Sequence, residues 1–180
     1  MISEAFVWTW LNQRTDPVVA GVITRAARRY VFSYGQSYLA RQDVVPLAPE
    51  LPLRRGVIEP LHDMAGALRD ASPDSWGRRV IAASILGQGG DDPNINSIDE
   101  LTYLLESGSN RIGALDFQTS PTEYVPRNST SATLEELMKS ADKIEAGEKL
   151  HPDLDVALRH GSAIGGARPK ALVTDRDREP

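Results

Sequence analysis

Residues 46 to 53 read PLAPELPL, three prolines in eight positions, and the hydrophobic pattern has a different period on each side of them. Proline fixes φ and removes a backbone donor, so this stretch can be neither a helix interior nor a central strand and reads as an extended connector. Before it, "AFVWTWLN" and "RYVFSYGQSYL" are rich in β-branched and aromatic residues, with Pro17, Gly21 and Gly35 as turn punctuation. That composition predicts a β-rich meander over residues 1 to about 50. After the connector, Val57, Ile58, Leu61, Met64, Ala65 and Leu68 recur at spacings of three and four, which predicts one helical face. Strands first and helices afterwards make an α+β fold, a β-rich N-terminal lobe packed with several short helices.

Further helix signals follow in order. Ser72 then Pro73 predicts an N-cap with proline at the first helical position, ahead of a face made by Trp76, Val80, Ile81 and Ile85; "GQGGDDPN" ends that helix. Ser97 and Glu100 have capping-box spacing before Ile98, Leu101, Leu104 and Leu105, with Gly108 as the stop. "IGALDF" reads as a strand and "TSPTEYVPRNSTS" as a polar connector. Thr133 and Glu136 form another capping box before Leu134, Leu137, Met138 and Ala141, and Pro152 opens a short helix through Leu158 that Gly161 closes. The expected organisation is a β-rich subdomain over 1–56, a helical and mixed part of the same lobe over 57–150, and a last segment over 151–180.

Composition narrows the chemistry. With 41% hydrophobic and 25% charged residues in 180, the chain is of ordinary globular type. A net charge of -5 argues against nucleic-acid binding over the whole surface. The absence of cysteine excludes disulfides, thiolate metal sites and cysteine nucleophiles, and fits a reducing cytoplasm. Glu4 stands where a secretory signal carries positive charge, and no apolar run approaches the ~20 residues that span a bilayer, so no membrane association is expected.

The stretch "GSAIGGARPKALVTD", residues 161 to 175, has the features of a loop that holds an anion before a strand. Gly165 and Gly166 let backbone N–H groups approach closely, Arg168 and Lys170 bring charge, and Pro169 stiffens the loop. It is not a P-loop, because Ala167 follows Gly166 where a lysine is required. It is not a dinucleotide fingerprint either, which leaves a strand and opens a helix; this loop does the reverse. Spacing alone leaves open a plain helix-to-strand turn with two solvated bases. His62, His151 and His160 lack metal-ligand spacing, and "GGDDPN" lacks the alternating oxygens and closing glutamate of a calcium loop. Asp70 and Asp74 flank a predicted N-cap, where negative charge favours a helix start. No serine, histidine and aspartate arrangement, kinase catalytic loop or magnesium-binding aspartate occurs.

Four motifs in order, "LPLRRG", "LRDASPDSWGRRVI", "GSNRIGALDF" and "GGARPKALV", resemble the N-terminal half of the HipA family, the bacterial serine/threonine protein kinase toxins of type II toxin–antitoxin pairs, associated with persistence. The resemblance runs from about residue 5 to 174 and implies that Gly165, Gly166, Ala167, Arg168 and Lys170 form a glycine-rich loop near the phosphates of ATP, ahead of a strand over Ala171 to Val173. Residues 151–180 would then begin an incomplete kinase-like domain whose lysine, catalytic aspartate and magnesium-binding aspartate lie later in the family's chain. On this expectation the chain is an N-terminal portion, inactive alone, needing ATP and Mg only with the missing part. The family often carries an autophosphorylated serine seven residues before the position of Lys170; Ala163 stands there, with Ser162 adjacent as the candidate replacement. The implied partners are a HipB-like helix-turn-helix antitoxin, through which alone DNA is contacted, and a protein substrate such as an aminoacyl-tRNA synthetase. The rival expectation is a non-catalytic interaction module that binds and restrains a separately encoded HipA-like kinase half.

Overall fold

The computed structural model describes residues 2–86, 97–111, 113–127 and 134–146. The chain divides into two compact units. The first comprises Met1–Ser72, Asp99–Leu105 and Arg111–Pro126, and the second Pro73–Ile98, Glu106–Asn110 and Arg127–Pro180. Helices and an antiparallel sheet together make the α+β class.

The first unit is built on strands β1 (Glu4–Thr9), β2 (Val18–Ala26), β3 (Arg29–Tyr34), β4 (Val57–Ile58) and β5 (Leu115–Gln118). They form one sheet in the order β4-β3-β2-β1-β5, antiparallel at every junction. Register explains the core. Ala5, Ile23, Phe32 and Ile58 lie opposite one another across four strands, and Phe117, Val7, Gly21 and Tyr34 form the next row. All eight are buried, since alternate residues of a strand share a face. Each large apolar side chain so buried contributes roughly 1.5–3 kcal/mol. Within this row Gly21 has no substitute: a Cβ would stand 2.1 Å from the Ser33 carbonyl oxygen and 2.7 Å from the Phe32 ring. Leu68, Leu101 and Leu104 complete the same core. Ala27 opens the two-residue turn between β2 and β3 at φ 55, the left-handed region that short hairpins demand and that costs a non-glycine residue about 1 kcal/mol.

Strand β3 stops at Tyr34, where the aromatic-rich sequence predicted continued meander, and Gln36–Leu39 turns into a single helical turn, α1. The proline-rich segment 46–53 forms neither helix nor ladder, as expected of a connector, and only an isolated bridge joins Ala48 to Leu51. The helix expected over 57 to 68 is corrected. Val57 and Ile58 pair with Ser33 and Phe32 as β4, Leu61 is 88% exposed, and helix α2 spans only Gly66–Asp70. Pro60 explains this, because it disfavours helical backbone at Glu59 and cannot donate within a helix.

Helix α4 (Glu100–Glu106) buries Leu101, Tyr103, Leu104 and Leu105. In the second unit, α3 (Ser75–Leu86) buries Trp76, Val80 and Ile81 and touches α5 (Leu134–Glu145), where Ala141 is buried. Two residues assigned to apolar faces from periodicity stand out instead: Ile85 is 44% and Met138 62% exposed. Thr133, "GQGGDDPN", Gly161 and the helix expected from Pro152 to Leu158 lie outside the described residues. Among the described residues no helix is long and apolar enough to cross a membrane.

Candidate functional site

The "GSNRIGALDF" motif builds a buried charged centre in the first unit. Arg111 and Asp116 are five residues apart; Asp116 is fixed by β5, and Arg111 reaches it from the segment before that strand. The side chains are 2% and 0% exposed, with Arg111 Nε 3.0 Å from Asp116 Oδ1. The remaining guanidinium nitrogens donate to main-chain oxygens: Nη1 to Ala71 O at 2.6 Å, at the end of α2, and Nη2 to Leu104 O at 2.7 Å, in α4. The guanidinium also lies 5.1 Å above the Phe117 ring. Asp116 accepts further bonds from the Phe117 N–H, Gln118 Nε2 and the Tyr124 hydroxyl. A buried charge needs a partner and several hydrogen bonds, and this centre supplies both. With no solvent access it holds α2, α4 and β5 together and offers nothing to a substrate.

The caps reveal a second division of labour. Asp99 ends the approach to α4: Oδ1 accepts the Leu101 N–H at 2.9 Å, while Oδ2 accepts Arg25 Nη1 at 2.6 Å and the Tyr30 hydroxyl at 3.1 Å. Burial pushes the Tyr30 hydroxyl above its ordinary range. Helix α4 thus starts from Asp99, two residues after the expected Ser97, and the Glu100 carboxylate accepts the Ser72 hydroxyl. The start of α3 is likewise set by Asp74 and not by Ser72. In the second unit, Asp74 Oδ1 accepts the Gly77 N–H at 2.9 Å and its carbonyl accepts the Arg78 N–H. The "SPDSWGRR" motif thus starts its helix at Asp74, two residues after the expected site. Behind it Arg79 lies 5.5 Å above the ring of Trp76, a fully buried residue whose Nε1 finds no acceptor among the described residues.

The "LPLRRG" motif lines an open cleft of about 310 Å³ in the first unit. Leu39 and Ala40 form one side, Val44 and Leu53 continue the apolar surface, and Arg54 and Arg55 provide charge. Two tyrosines anchor the chain that leads into this lining. The Tyr38 hydroxyl donates to Val45 O at 2.8 Å, and the Tyr34 hydroxyl donates to Leu51 O at 2.7 Å while accepting the Leu47 N–H at 2.9 Å. Their rings stack at 5.6 Å and 4°. Burial raises both hydroxyls above the usual tyrosine value. Outside this cleft Arg41 bonds Asp43 and holds its carboxyl below the ordinary range.

Gly165, Gly166, Ala167, Arg168, Lys170 and Ser162 lie outside the described residues, as do His151 and His160. His62 is exposed beside Asp63, and Asp70 stands in solvent 3.9 Å from Arg69. Among the described residues no three histidine, aspartate or glutamate side chains are grouped to hold a metal ion. Arg111, Asp116, Arg54 and Arg55 stand inside the resembling motifs, which by themselves assign them no role. The available signal was an aspartate inside the apolar strand "ALDF", since a charge there must be paired.

No curated protein matches this chain. A family model described as the HipA N-terminal domain matches residues 10–118. That span contains the arginine cleft, the "SPDSWGRR" helix start and the Arg111–Asp116 centre, with all of strands β2 to β5. Because the match covers more than half of the 180 residues and takes in three of the four motifs, the chain belongs to the HipA family.

Proposed function

We propose that this chain is the N-terminal region of a HipA-like toxin kinase, which transfers phosphate from ATP to a protein serine, with an aminoacyl-tRNA synthetase as the family's precedent. The observation that carries the reading is the match of residues 10–118 to the HipA N-terminal domain. Glycine N–H groups of Gly165 and Gly166, with the charges of Arg168 and Lys170, are the groups that would hold the phosphates of ATP. Bound ATP with magnesium supplies the transferable phosphoryl group. The arginine cleft is not the place for it, having neither the glycines nor the aromatic lining that suit a nucleotide. The same reading gives a HipB-like helix-turn-helix antitoxin as partner, the antitoxin carrying the DNA contacts, and a cytoplasmic location.

Phosphoryl transfer needs a positioned base and metal-binding carboxylates, and the chain has no motif that supplies them. The 180-residue chain by itself therefore transfers no phosphate. Incubation with radiolabelled ATP, magnesium and a synthetase tests this, and label on the synthetase above a no-protein control overturns it. Adding a HipA-like kinase half in trans tests the wider reading: restored labelling supports a kinase portion, and suppression of that half's own activity supports a restraining module.

A further inference from the structure

The role of "LPLRRG" is the part of the sequence that the kinase reading leaves unexplained, and the cleft it lines has the properties of a peptide-docking site. We propose that this cleft receives a segment of a partner protein in which a bulky aliphatic side chain stands beside a carboxylate. The lining is apolar at Leu39, Ala40, Val44 and Leu53, with Leu53 38% exposed and Leu39 and Val44 packed against the core. The charge of the lining is positive: Arg54 and Arg55 belong to it and none of the lining residues is acidic, although the chain as a whole carries -5. Charge complementarity therefore selects an anionic group at this one place.

The site is also built in advance of any occupant. The hydroxyl of Tyr38 anchors the chain next to Val44 through Val45 O, and that of Tyr34 anchors it two residues before Leu53 through Leu51 O, while Pro46 and Pro49 restrict the segment between these anchors and Pro52 the approach to Leu53. Arg54 is oriented by its bond from Nη2 to Val57 O at 2.9 Å, and Arg55 makes no hydrogen bond or ion pair among the described residues. A preformed groove loses little freedom on binding, so a small contact suffices. Its volume of about 310 Å³ lies at the lower end of ligand pockets, the size of one or two peptide side chains. This inference is independent of ATP chemistry and holds or fails without it.

The test is a titration of the isotope-labelled 180-residue chain, followed by amide NMR. The probes are acetyl-Leu-Glu-Leu-Glu-amide, its Leu-Lys-Leu-Lys counterpart, and inorganic phosphate at equal ionic strength. The acidic peptide should shift the amides of Leu39, Ala40, Val44, Leu53 and Arg55 saturably, and the lysine peptide should not. Arg55→Glu should weaken binding about tenfold or more, the effect of losing one charge-assisted hydrogen bond. Ala40→Trp, which fills the cleft and leaves both arginines, should abolish the shifts; unchanged thermal melting of both variants shows that each still folds. Absence of saturable shifts, equal response to the lysine peptide, or unchanged binding in either variant overturns the proposal. Phosphate that moves the same resonances and displaces the peptide also overturns it, leaving a site for free anions.

Discussion

Removing both members of the Arg111–Asp116 pair should cost clearly less than the two single losses added together. Arg111→Met keeps most of the side-chain volume but deletes the 3.0 Å contact to Asp116 and the bonds to Ala71 O and Leu104 O. It leaves a carboxylate at 0% exposure, supported by the Phe117 N–H, Gln118 and Tyr124 but without its opposite charge. Breaking a buried pair from one side costs about 3–5 kcal/mol, and stranding two carbonyls adds about 1 kcal/mol for each that water does not reach. Their overlap puts Arg111→Met at about 4 kcal/mol, a large share of a typical domain's 5–15 kcal/mol. Asp116→Asn should cost about 3 kcal/mol, since Asn keeps an acceptor but leaves the guanidinium unbalanced. The double variant buries no unpaired charge, so the cycle should show a coupling of about 2 kcal/mol. Urea unfolding followed by circular dichroism, with the slope unchanged, measures all four corners. Single losses below about 1 kcal/mol, or additivity within about 0.5 kcal/mol, would refute the account of this centre as a charge-balanced internal tie.

Gly21→Ala should destabilise by about 3 kcal/mol, because the added methyl meets the Ser33 carbonyl at 2.1 Å in mid-sheet and neither partner can withdraw; a melting temperature within a degree or so of the parent contradicts this. Asp74→Ala should cost about 1 kcal/mol by uncapping α3, and Asp74→Asn should restore most of it, which urea midpoints will show; a loss that Asn does not rescue would mean the carboxylate acts otherwise. Alkaline stability follows from Tyr34 and Tyr38, whose hydroxyls burial raises above 10.0. Their folded values exceed the unfolded one, so the neutral forms' contribution is complete below about pH 10 and is lost as pH rises through the folded values. The urea midpoint should be flat up to about pH 9 with respect to these groups and fall beyond about pH 10. Tyrosinate absorbance should rise together with loss of the circular dichroism signal, and Tyr34→Phe with Tyr38→Phe should lessen the fall; full tyrosinate formation in a still-folded chain refutes it.

Local chemistry wrote much of this fold into the sequence. The strand-rich opening, the proline connector and strand β5 follow from composition and turn residues, which act over a few positions. Helices α3, α4 and α5 follow from apolar spacing. The motifs that resemble the HipA family were likewise readable as strings, and the family match over 10–118 bears the recognition out. Other features depend on residues far apart in the chain. Val57 and Ile58 have helical spacing with their successors, yet β3 offers Ser33 and Phe32 as ladder partners and Pro60 keeps a helix from running on through them. Ser72 and Glu100 have capping credentials in the sequence, yet their side chains meet across 28 positions, and it is Asp74 and Asp99 that start the helices. β5 pairs with β1 although more than a hundred residues separate them, and only that placement buries Asp116 where Arg111 must answer it. Periodicity and caps are properties of neighbours in sequence, whereas pairing, burial and charge balance are properties of neighbours in space, so the sequence by itself determined most of the elements, while the tertiary structure alone decided β4 and which polar groups would meet one another.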